Sequence, residues 1–460
     1  MTVTAVLLAG ALVAGACGND DDSEDAAATG GDEASEEAVG EEGRPFEGET
    51  VRFWIMNNGP SPVEDTERII APFEEETGID VEVELVGWDV QFDRIRNAAV
   101  TGEAPDVTQA GTTQVPFFAS LGGFEDLSDR VDDLGGPEVY PEGVWATTQV
   151  KDQDGIWAAP WFTEARAIYY RKDALEAAGV DAETAFTDWD AFRSTLEALA
   201  EVEEIDGQPI EPFGSPGRQA FDLVHHVMPF VWSNGGAELN DDASESTIAS
   251  DEAVEATMFF ADLLQDGLYS KAELERDGTQ VENQFKAGRL ATWIGGPWTL
   301  ASVDREDDTN WTDTARANVG IAPMPEGPGG EAFTFVGGSN LMMFNTSEHK
   351  DAAWELIKFL SEPDVQVEYA SLMGFYPSTQ DGQAEIAAQG ENQALFLEAI
   401  EQGRTYAAIP QWGEIENAYK DKFGNILDAA AGGGDFSQET VRAELEAAQQ
   451  EANELLAQSQ

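Results

Sequence analysis

The chain contains very little cysteine, histidine and positive charge. Its 460 residues include one cysteine, Cys17, and three histidines, so a disulfide within the chain is excluded. His225, His226 and His349 do not have a metal-ligand spacing such as His-Glu-x-x-His. Lys and Arg number 24 against 90 Asp and Glu, a formal net charge of −66. Nucleic-acid binding requires basic groups that displace phosphate counterions, so this composition argues against it, and an anionic membrane would repel the body of the protein.

The excess of acidic residues has two interpretations that the sequence leaves open. One is a solvated surface that resists aggregation. The other is adaptation to high salt, where the Debye length falls to about 3 Å at 1 M and the repulsion between like charges is screened.

Long hydrophobic runs are also missing beyond the first sixteen residues. No later run approaches the roughly 20 residues of a membrane helix, so we expect a soluble body. Hydrophobic residues nevertheless make up 42% of the chain and include 12 Trp, enough for large cores. The length predicts about two to four globular domains.

The amino terminus carries the features of a secretory signal. Residues 3–16 read VTAVLLAGALVAGA, an apolar stretch that ends in small residues directly before Cys17. This segment resembles a bacterial lipoprotein signal, which implies cleavage after residue 16 and lipid attachment to Cys17. The alternative for Cys17 is a free thiol. Residues 17–47 are rich in acid, Gly, Ser and Ala, so we expect a disordered tether between the lipid and the body.

The body begins with alternating strand and helix patterns. TVRFWIM, VEVELV and DVTQA have strand character, and VEDTERIIAPFEEETG and WDVQFDRIRNAAVTG have apolar residues at helical spacing. This alternation predicts an α/β fold with parallel strands. Ligands of such sheets bind beyond the carboxyl ends of the strands, which makes Asn57, Asn58 and residues 111–114 candidates.

Four stretches further specify the fold: GEAPDVTQAGTTQVPFFASLGGFEDLSD, EARAIYYRKDALEAAGV, FKAGRLATWIGGPWTL, and FVGGSNLMMFN followed by KDAAWELIKFLSEP. In this order, the chain resembles the extracellular solute-binding proteins, family 1, of ATP-driven importers, the sugar-binding family that includes maltose-binding protein. The resemblance implies the class II periplasmic-binding-protein fold, with two α/β lobes, a hinge and a ligand cleft between them. We expect residues 48–158 and 321–363 in the first lobe, and residues 159–320 and 364–460 in the second.

A sugar site combines flat aromatic rings with groups that donate to and accept from hydroxyls. Amides, carboxylates and guanidinium groups at loop positions supply the polar part, and tryptophan and tyrosine supply the rings. The resemblance implies ligand contacts in the loop after the first strand, at the acid before ARAIYY, and in the GGPW, PQW and VGGS motifs. It also implies a contact at Thr113 and Gln114, a neutral pair where some family members have an acidic-basic pair. The predicted ligand-binding residues are Asn57, Asn58, Thr113, Gln114, Glu164, Arg166, Trp232, Trp298, Gly338, Ser339, Tyr376, Arg404 and Trp412.

Each of these residues also has a purely structural interpretation. A tryptophan in an α/β domain is more often part of the core than a stacking platform. The Asn57–Asn58 pair precedes Gly-Pro and fits a turn, glycines 337 and 338 fit tight turns, and Glu164 fits a solvated surface acid.

The implied function is a lipid-anchored, monomeric receptor that captures a mono- or oligosaccharide and delivers it to the permease of an ABC importer. A polyol or another osmolyte is the alternative ligand. A secreted carbohydrate-active enzyme is a third interpretation, because a hydrolase also uses paired carboxyls. No catalytic Ser elbow, ATP-binding lysine motif or EF-hand loop is present, so neither catalytic residues nor a cofactor or metal is predicted, although the sequence leaves a structural calcium ion open.

Overall fold

The computed structural model describes residues 44–458. The predicted signal segment, Cys17 and nearly all of the predicted tether lie outside the described residues. Within residues 44–458, none of the helices combines the length and hydrophobicity required to cross a membrane.

The strands form two main sheets and one short hairpin. Their bounds are Thr50–Met56 (β1), Asp80–Val86 (β2), Val107–Gly111 (β3), Ala159–Ala165 (β4), Ala167–Arg171 (β5), Glu204–Ile205 (β6), Gln208–Pro209 (β7), Glu211–Gly214 (β8), Leu290–Gly295 (β9), Val319–Ala322 (β10), Val336–Met343 (β11) and Tyr376–Pro377 (β12). The larger sheet has the order β12-β4-β11-β3-β1-β2, and the smaller one has the order β10-β5-β9-β8. The hairpin pairs β6 with β7.

Helices cover both sheets. The α-helices are Pro62–Thr77 (α1), Trp88–Thr101 (α2), Val115–Ser120 (α3), Glu142–Ala146 (α4), Lys172–Ala178 (α5), Trp189–Ala200 (α6), Leu223–Ser233 (α7), Asp251–Gln265 (α8), Gly278–Lys286 (α9), Pro297–Val303 (α10), Asp313–Ala317 (α11), Lys350–Ser361 (α12), Pro363–Met373 (α13), Gln380–Ala387 (α14), Glu391–Gln402 (α15), Trp412–Asp428 (α16) and Gln438–Ala457 (α17). Short 3₁₀ turns occupy Val131–Leu134, Pro137–Val139 and Lys271–Glu275, and a π-turn, Ala429–Gly433, follows α16.

The first βαβαβ segment follows the predicted pattern. β1 pairs in parallel with β2 and β3. Helix α1 starts with Pro62 in its first turn, where the missing N–H costs nothing, and ends at Gly78 in the left-handed conformation. Ile69, Ile70 and Phe73 are buried, as their helical spacing predicts. The parallel sheet is therefore confirmed for β1, β2 and β3, whereas β11, β4 and β12 extend it in antiparallel fashion.

The chain crosses between the two sheets near Arg166. β4 hydrogen-bonds with β11 in the larger sheet, and β5 begins one residue later in the smaller sheet. The predicted first-lobe segment ended at residue 158, so β4 places the first crossing several residues later. β12, at Tyr376–Pro377, also pairs with β4 in the larger sheet, beyond the predicted boundary at residue 363.

Each sheet has its own hydrophobic core. The larger sheet packs Phe53, Trp161 and Tyr369 between its strands and helices. The smaller sheet packs on one side against a cluster that includes Phe213, Trp232 and Trp412. Two cores joined by crossing strands give the two-lobed class II periplasmic-binding-protein fold.

Candidate functional site

A cavity of about 270 Å³ lies between the two lobes, beside the crossing strands. The first lobe contributes the loop after β1, the loop after β3, and residues of β4 and β11. The second lobe contributes the start of α7, α9, and the loop and first turn of α10. Seven of the predicted site residues line this cavity: Asn57, Thr113, Glu164, Arg166, Trp298, Gly338 and Ser339.

The other six predicted residues lie away from the cavity lining of the described chain: Asn58, Gln114, Trp232, Tyr376, Arg404 and Trp412. Asn58 is buried and contacts the site indirectly, through Gln109. Its Nδ2 donates to Gln109 Oε1 (2.9 Å), and Gln109 Nε2 donates to the Ser339 hydroxyl (2.8 Å). Asn58 therefore helps to fix Ser339, which does line the cavity.

Gln114 lies in a buried contact between the lobes. Its Oε1 accepts a hydrogen bond from Gln91 Nε2 on α2, and its side chain is also hydrogen-bonded to the Glu416 carboxyl on α16. This amide connects two helices of opposite lobes instead of facing the cavity.

Two of the predicted stacking tryptophans are packed inside the second lobe. Trp232 is 2% exposed and donates from Nε1 to Glu238 Oε2 (2.8 Å). Trp412 is 0% exposed and stacks on Tyr406, with ring centroids 4.2 Å apart. Both rings are therefore packed as core residues of the second lobe.

Tyr376 and Arg404 have partners outside the cavity as well. The Tyr376 hydroxyl donates to the Gln393 carbonyl oxygen. The Arg404 guanidinium lies 3.7 Å from the centroid of the Phe333 ring. Both side chains therefore serve contacts within the described chain.

The centre of the cavity holds a buried acid-base cluster. Arg166 Nη2 is 3.4 Å from Glu164 Oε1 and 3.2 Å from Asp222 Oδ1. Glu164 is 4% exposed, and burial raises its pKa to about 7, an effect that Arg166 partly offsets and Asp222 adds to. The pKa of Asp222 is also raised by burial. Glu164 is thus a buried site acid, in contrast to the solvated surface acid considered above.

Trp298 is held by charged neighbours on its face and at its edge. The Arg166 guanidinium lies 4.5 Å from the indole centroid, a cation–π distance. The indole Nε1 donates to Glu282 Oε2 (3.2 Å). The half-buried ring therefore links the crossing strands to α9, and Arg166 covers one of its faces.

A second charged cluster closes the α9 side of the cavity. Lys286 Nζ is 2.7 Å from Glu282 Oε1 and 2.9 Å from Asp308 Oδ2. Thr299 Oγ1 also donates to Glu282 Oε1 (3.0 Å). All three ionisable groups are nine-tenths buried or more, so one ammonium group and two acids form this buried wall.

His225 and His226 line the cavity from α7 as neutral side chains. Burial and the nearby Arg166 lower both pKa values well below the ordinary range. His225 stacks on Phe335 with centroids 3.9 Å apart, and its Nδ1 is 3.0 Å from the Tyr406 hydroxyl. His226 Nδ1 is 3.1 Å from the Ser215 hydroxyl. Helix α7 therefore packs both rings in the buried wall of the cavity.

Several lining residues were not found from the sequence. They include the aromatic and acidic residues Trp88, Phe162, Phe221, Asp222, Glu282, Trp293, Phe335 and Phe375. Trp88 and Phe221 stack across the lobes with centroids 6.0 Å apart. Of these residues, only Trp88 could have been found from a local sequence pattern, because it starts α2 shortly after the end of β2. Asp222 and Phe335 reach the cavity because the chain crosses between the lobes.

The two lobes contact each other around the cavity. Asn57 Nδ2 donates to Thr279 Oγ1 (3.3 Å), and the Phe221 N–H donates to Asp89 Oδ1 (3.1 Å). Arg305 Nη1 is 2.5 Å from Asp65 Oδ2. These contacts join the two lobes around the cavity. Within residues 44–458, no group of three or more His, Cys, Asp or Glu side chains is arranged to hold a metal ion.

Comparison with known proteins agrees with this architecture. The diacetylchitobiose binding protein DasA of Streptomyces coelicolor is 27% identical over 425 residues, 90% of each chain. A solute binding protein of an ABC transporter from Thermotoga lettingae, solved with alpha-D-tagatose, has a TM-score of 0.78 and 23% identity, covering 89% of this chain and 100% of that one. Maltose-bound MalE3 of T. maritima has a TM-score of 0.76 and 23% identity, covering 87% and 98%.

The match to a family model decides the classification. Residues 59–367, more than half of the chain and including β2 to α12, match the model of the bacterial extracellular solute-binding proteins. This segment contains eight of the predicted site residues that follow Asn58 and precede Tyr376, and it spans the crossing strands that form the cavity. The chain belongs to the bacterial extracellular solute-binding protein family.

Proposed function

We propose that this protein is an extracytoplasmic receptor that captures a sugar between its lobes and delivers it to the permease of an ABC importer, without catalysis. The observation that carries the proposal is the cavity between the lobes, which combines aromatic rings with amide, hydroxyl, carboxylate and guanidinium groups. Similarity to a diacetylchitobiose binding protein and to structures with bound tagatose and maltose supports a carbohydrate ligand.

The cavity matches the two sides of a sugar ring. Phe162 and Phe375, which stack with centroids 4.1 Å apart, and Trp88 offer apolar surface for C–H groups. Asn57, Ser339 and Asn310 offer donors and acceptors for hydroxyls. Because residues of both lobes line the same space, a bound sugar gains contacts in the closed form that the open form lacks, which shifts the population toward closure.

Isothermal titration calorimetry against monosaccharides, oligosaccharides and polyols tests the ligand class. We expect saturable binding of at least one sugar, a change in tryptophan fluorescence, and no new products by chromatography. Asn310→Ala, in the cavity wall, should weaken binding, whereas Asn392→Ala, an exposed asparagine of α15 outside the cavity lining, serves as the matched control. Absence of binding across the panel contradicts the sugar proposal, preferential polyol binding selects the alternative ligand, and turnover of a saccharide selects the enzyme interpretation.

The anchor and the assembly state complete the proposal. A lipid on Cys17 holds the receptor at the outer face of the cell membrane, where a monomer meets the permease. Mass spectrometry of membrane-extracted protein should find lipid on Cys17, and Cys17→Ser should release the protein into the medium. An unmodified Cys17 in the membrane fraction contradicts the anchor, and a dimer mass in light scattering contradicts the monomer.

A further inference from the structure

The acid-base cluster in the cavity has more acidic than basic groups. Glu164 and Asp222 both pair with one nitrogen of Arg166, at 3.4 and 3.2 Å. One guanidinium therefore faces two carboxyl groups, and one negative charge stays unbalanced whenever both are ionised. Three further acids, Asp89, Asp277 and Glu282, add to the negative potential at Asp222.

One carboxylate oxygen of this cluster has no partner. Glu164 is 4% exposed, and its Oε2 accepts no hydrogen bond from any described residue, although Glu164 lines the cavity. Arg166 Nε is likewise buried without a hydrogen-bond partner among residues 44–458. A buried polar atom without a partner carries a desolvation cost, which a suitable ligand group removes.

The described cavity wall supplies no other positive charge to Glu164. Lys286 is the remaining base in the described lining, and Glu282 and Asp308 already hold its ammonium group. His225 and His226 are neutral, because their pKa values are well below the ordinary range. When both carboxyls of the cluster are ionised, the second positive charge therefore has to come from the ligand.

The surroundings also favour a cation. The rings of Phe162, Phe335 and Phe375 line the same cavity, and ring faces attract positive charge. The volume of about 270 Å³ fits a small ligand instead of a long chain.

We propose that this cavity prefers a ligand with one positive charge among its hydroxyl groups, an amino sugar, over the neutral sugar of the same shape, with Glu164 as the counter-ion. The inference rests on the proposed function, because it specifies the class of sugar at the same site. An ammonium group donates to Glu164 Oε2 and balances the second carboxylate, whereas a sugar acid adds a further negative charge and is excluded.

Calorimetry with matched ligand pairs tests this inference. The pairs are D-glucosamine and D-glucose, D-galactosamine and D-galactose, and D-mannosamine and D-mannose, with D-glucuronate as the anionic probe, all at pH 7. We expect the amine to bind at least tenfold more tightly in one or more pairs, and the uronate to show no binding. The preference should persist in 1 M NaCl, where the Debye length of about 3 Å screens distant surface charges.

Two variants separate Glu164 from the general acidity of the protein. In Glu164→Gln, the ratio of the two affinities should fall to about one. In Asp93→Asn, which removes an exposed acid of α2 outside the cavity lining, the ratio should not change. Equal or tighter binding of the neutral sugar in every pair, or a ratio that survives in Glu164→Gln, overturns the inference and leaves the sugar-receptor function standing. If these monosaccharides do not bind but the wider panel contains a sugar that does, only the inference is wrong, and if no sugar of either set binds, both proposals are wrong.

Discussion

At the scale of single residues, Trp298 connects the two charged clusters of the cavity. Its ring faces Arg166 at 4.5 Å, and its N–H donates to Glu282. Trp298→Ala should weaken ligand binding by about 1–3 kcal/mol, because Arg166 loses its support and Glu282 loses a donor. Trp298→Phe keeps a ring under Arg166 and should retain more of the affinity. Calorimetry with the ligand identified in the panel measures both, and equal affinity of Trp298→Ala and the unaltered protein contradicts the prediction.

Trp412 should respond differently, although the same motif reasoning selected it. It is 0% exposed and packs against Tyr406 and Tyr419. Trp412→Ala should lower the free energy of unfolding by about 3–5 kcal/mol, because it leaves a large cavity in the core. Urea denaturation measures this loss, and Trp412→Phe should lose less. A fully stable Trp412→Ala variant with weakened binding would assign the ring to the ligand instead of the core.

The sequence predicted the residues that follow strand ends better than the residues that complete the site. Asn57 and Thr113 could be found, because each lies just beyond a recognisable strand. Asp222 and Phe335 could not be found in this way. Their positions depend on how α7 and the segment before β11 meet the crossing strands, and no local pattern encodes that long-range geometry.

At the scale of secondary-structure elements, β11 is the strand on which both the larger sheet and the cavity depend. Gly338 has a φ of 133°, and a Cβ built there would lie 2.2 Å from the Phe162 carbonyl oxygen of β4. Gly338→Ala should therefore destabilise the fold by about 2–5 kcal/mol, through backbone strain and a clash between paired strands.

The matched control for this strand is Gly179→Ala. Gly179 has a φ of 69°, but no described atom lies within 4 Å of the position that a Cβ would take there. Gly179→Ala should lower the free energy of unfolding by only about 1–2 kcal/mol, the strain of a left-handed alanine. Urea denaturation compares the two variants. Equal losses of unfolding free energy would show that the close approach of β4 to β11 adds no cost at Gly338.

The helices and strands of the first βαβαβ segment were accessible to sequence reasoning, because their apolar spacing is regular and their ends carry Pro and Gly signals. The sheet to which β4 belongs could not be predicted from the sequence. β4 and β5 are nearly continuous in sequence, from Ala159 to Arg171, and the break at Arg166 is set by pairing with β11 and β9. Partner strands far along the chain decide which sheet a buried strand joins.

At the scale of the whole molecule, the net charge of −66 makes stability dependent on salt. Repulsion between acids opposes the compact state, and added salt screens it. We expect the melting temperature to rise between dilute buffer and 1 M NaCl, as measured by circular dichroism. NaCl should be compared with an equal concentration of an uncharged osmolyte, since an equal rise with both would assign the effect to preferential exclusion instead of charge screening.

The contact between the lobes at Glu416 makes stability dependent on pH. Glu416 is 3% exposed, and burial raises its pKa to about 8, partly offset by the hydrogen bond from Gln114 of the other lobe. His225 of α7 lies 3.7 Å from the carboxyl but is neutral. Lys420 on the same helix lowers the pKa of Glu416 slightly, and Asp222 raises it.

The direction of the effect follows from proton binding. In the unfolded chain, a glutamate has a pKa of about 4.3, so the folded state binds the extra proton between that value and about 8. The stabilisation is complete below the unfolded pKa and is lost as the pH rises through 8. Between pH 7 and pH 8 the free energy of unfolding should fall by about 1 kcal/mol from this group. Glu164, with a pKa of about 7, contributes mainly below this window.

Glu416→Gln isolates this contribution, because the amide stays neutral and still accepts a hydrogen bond from Gln114. Urea denaturation at pH 7 and pH 8 should show a loss for the unaltered protein and a nearly constant free energy for Glu416→Gln. Glu355→Gln, on the surface of α12, should follow the unaltered protein. Parallel curves for all three would mean that Glu416 is already ionised in the fold. In that case the Gln114 contact between the lobes would join an amide to a carboxylate, and the joint between the lobes would not respond to pH in this range.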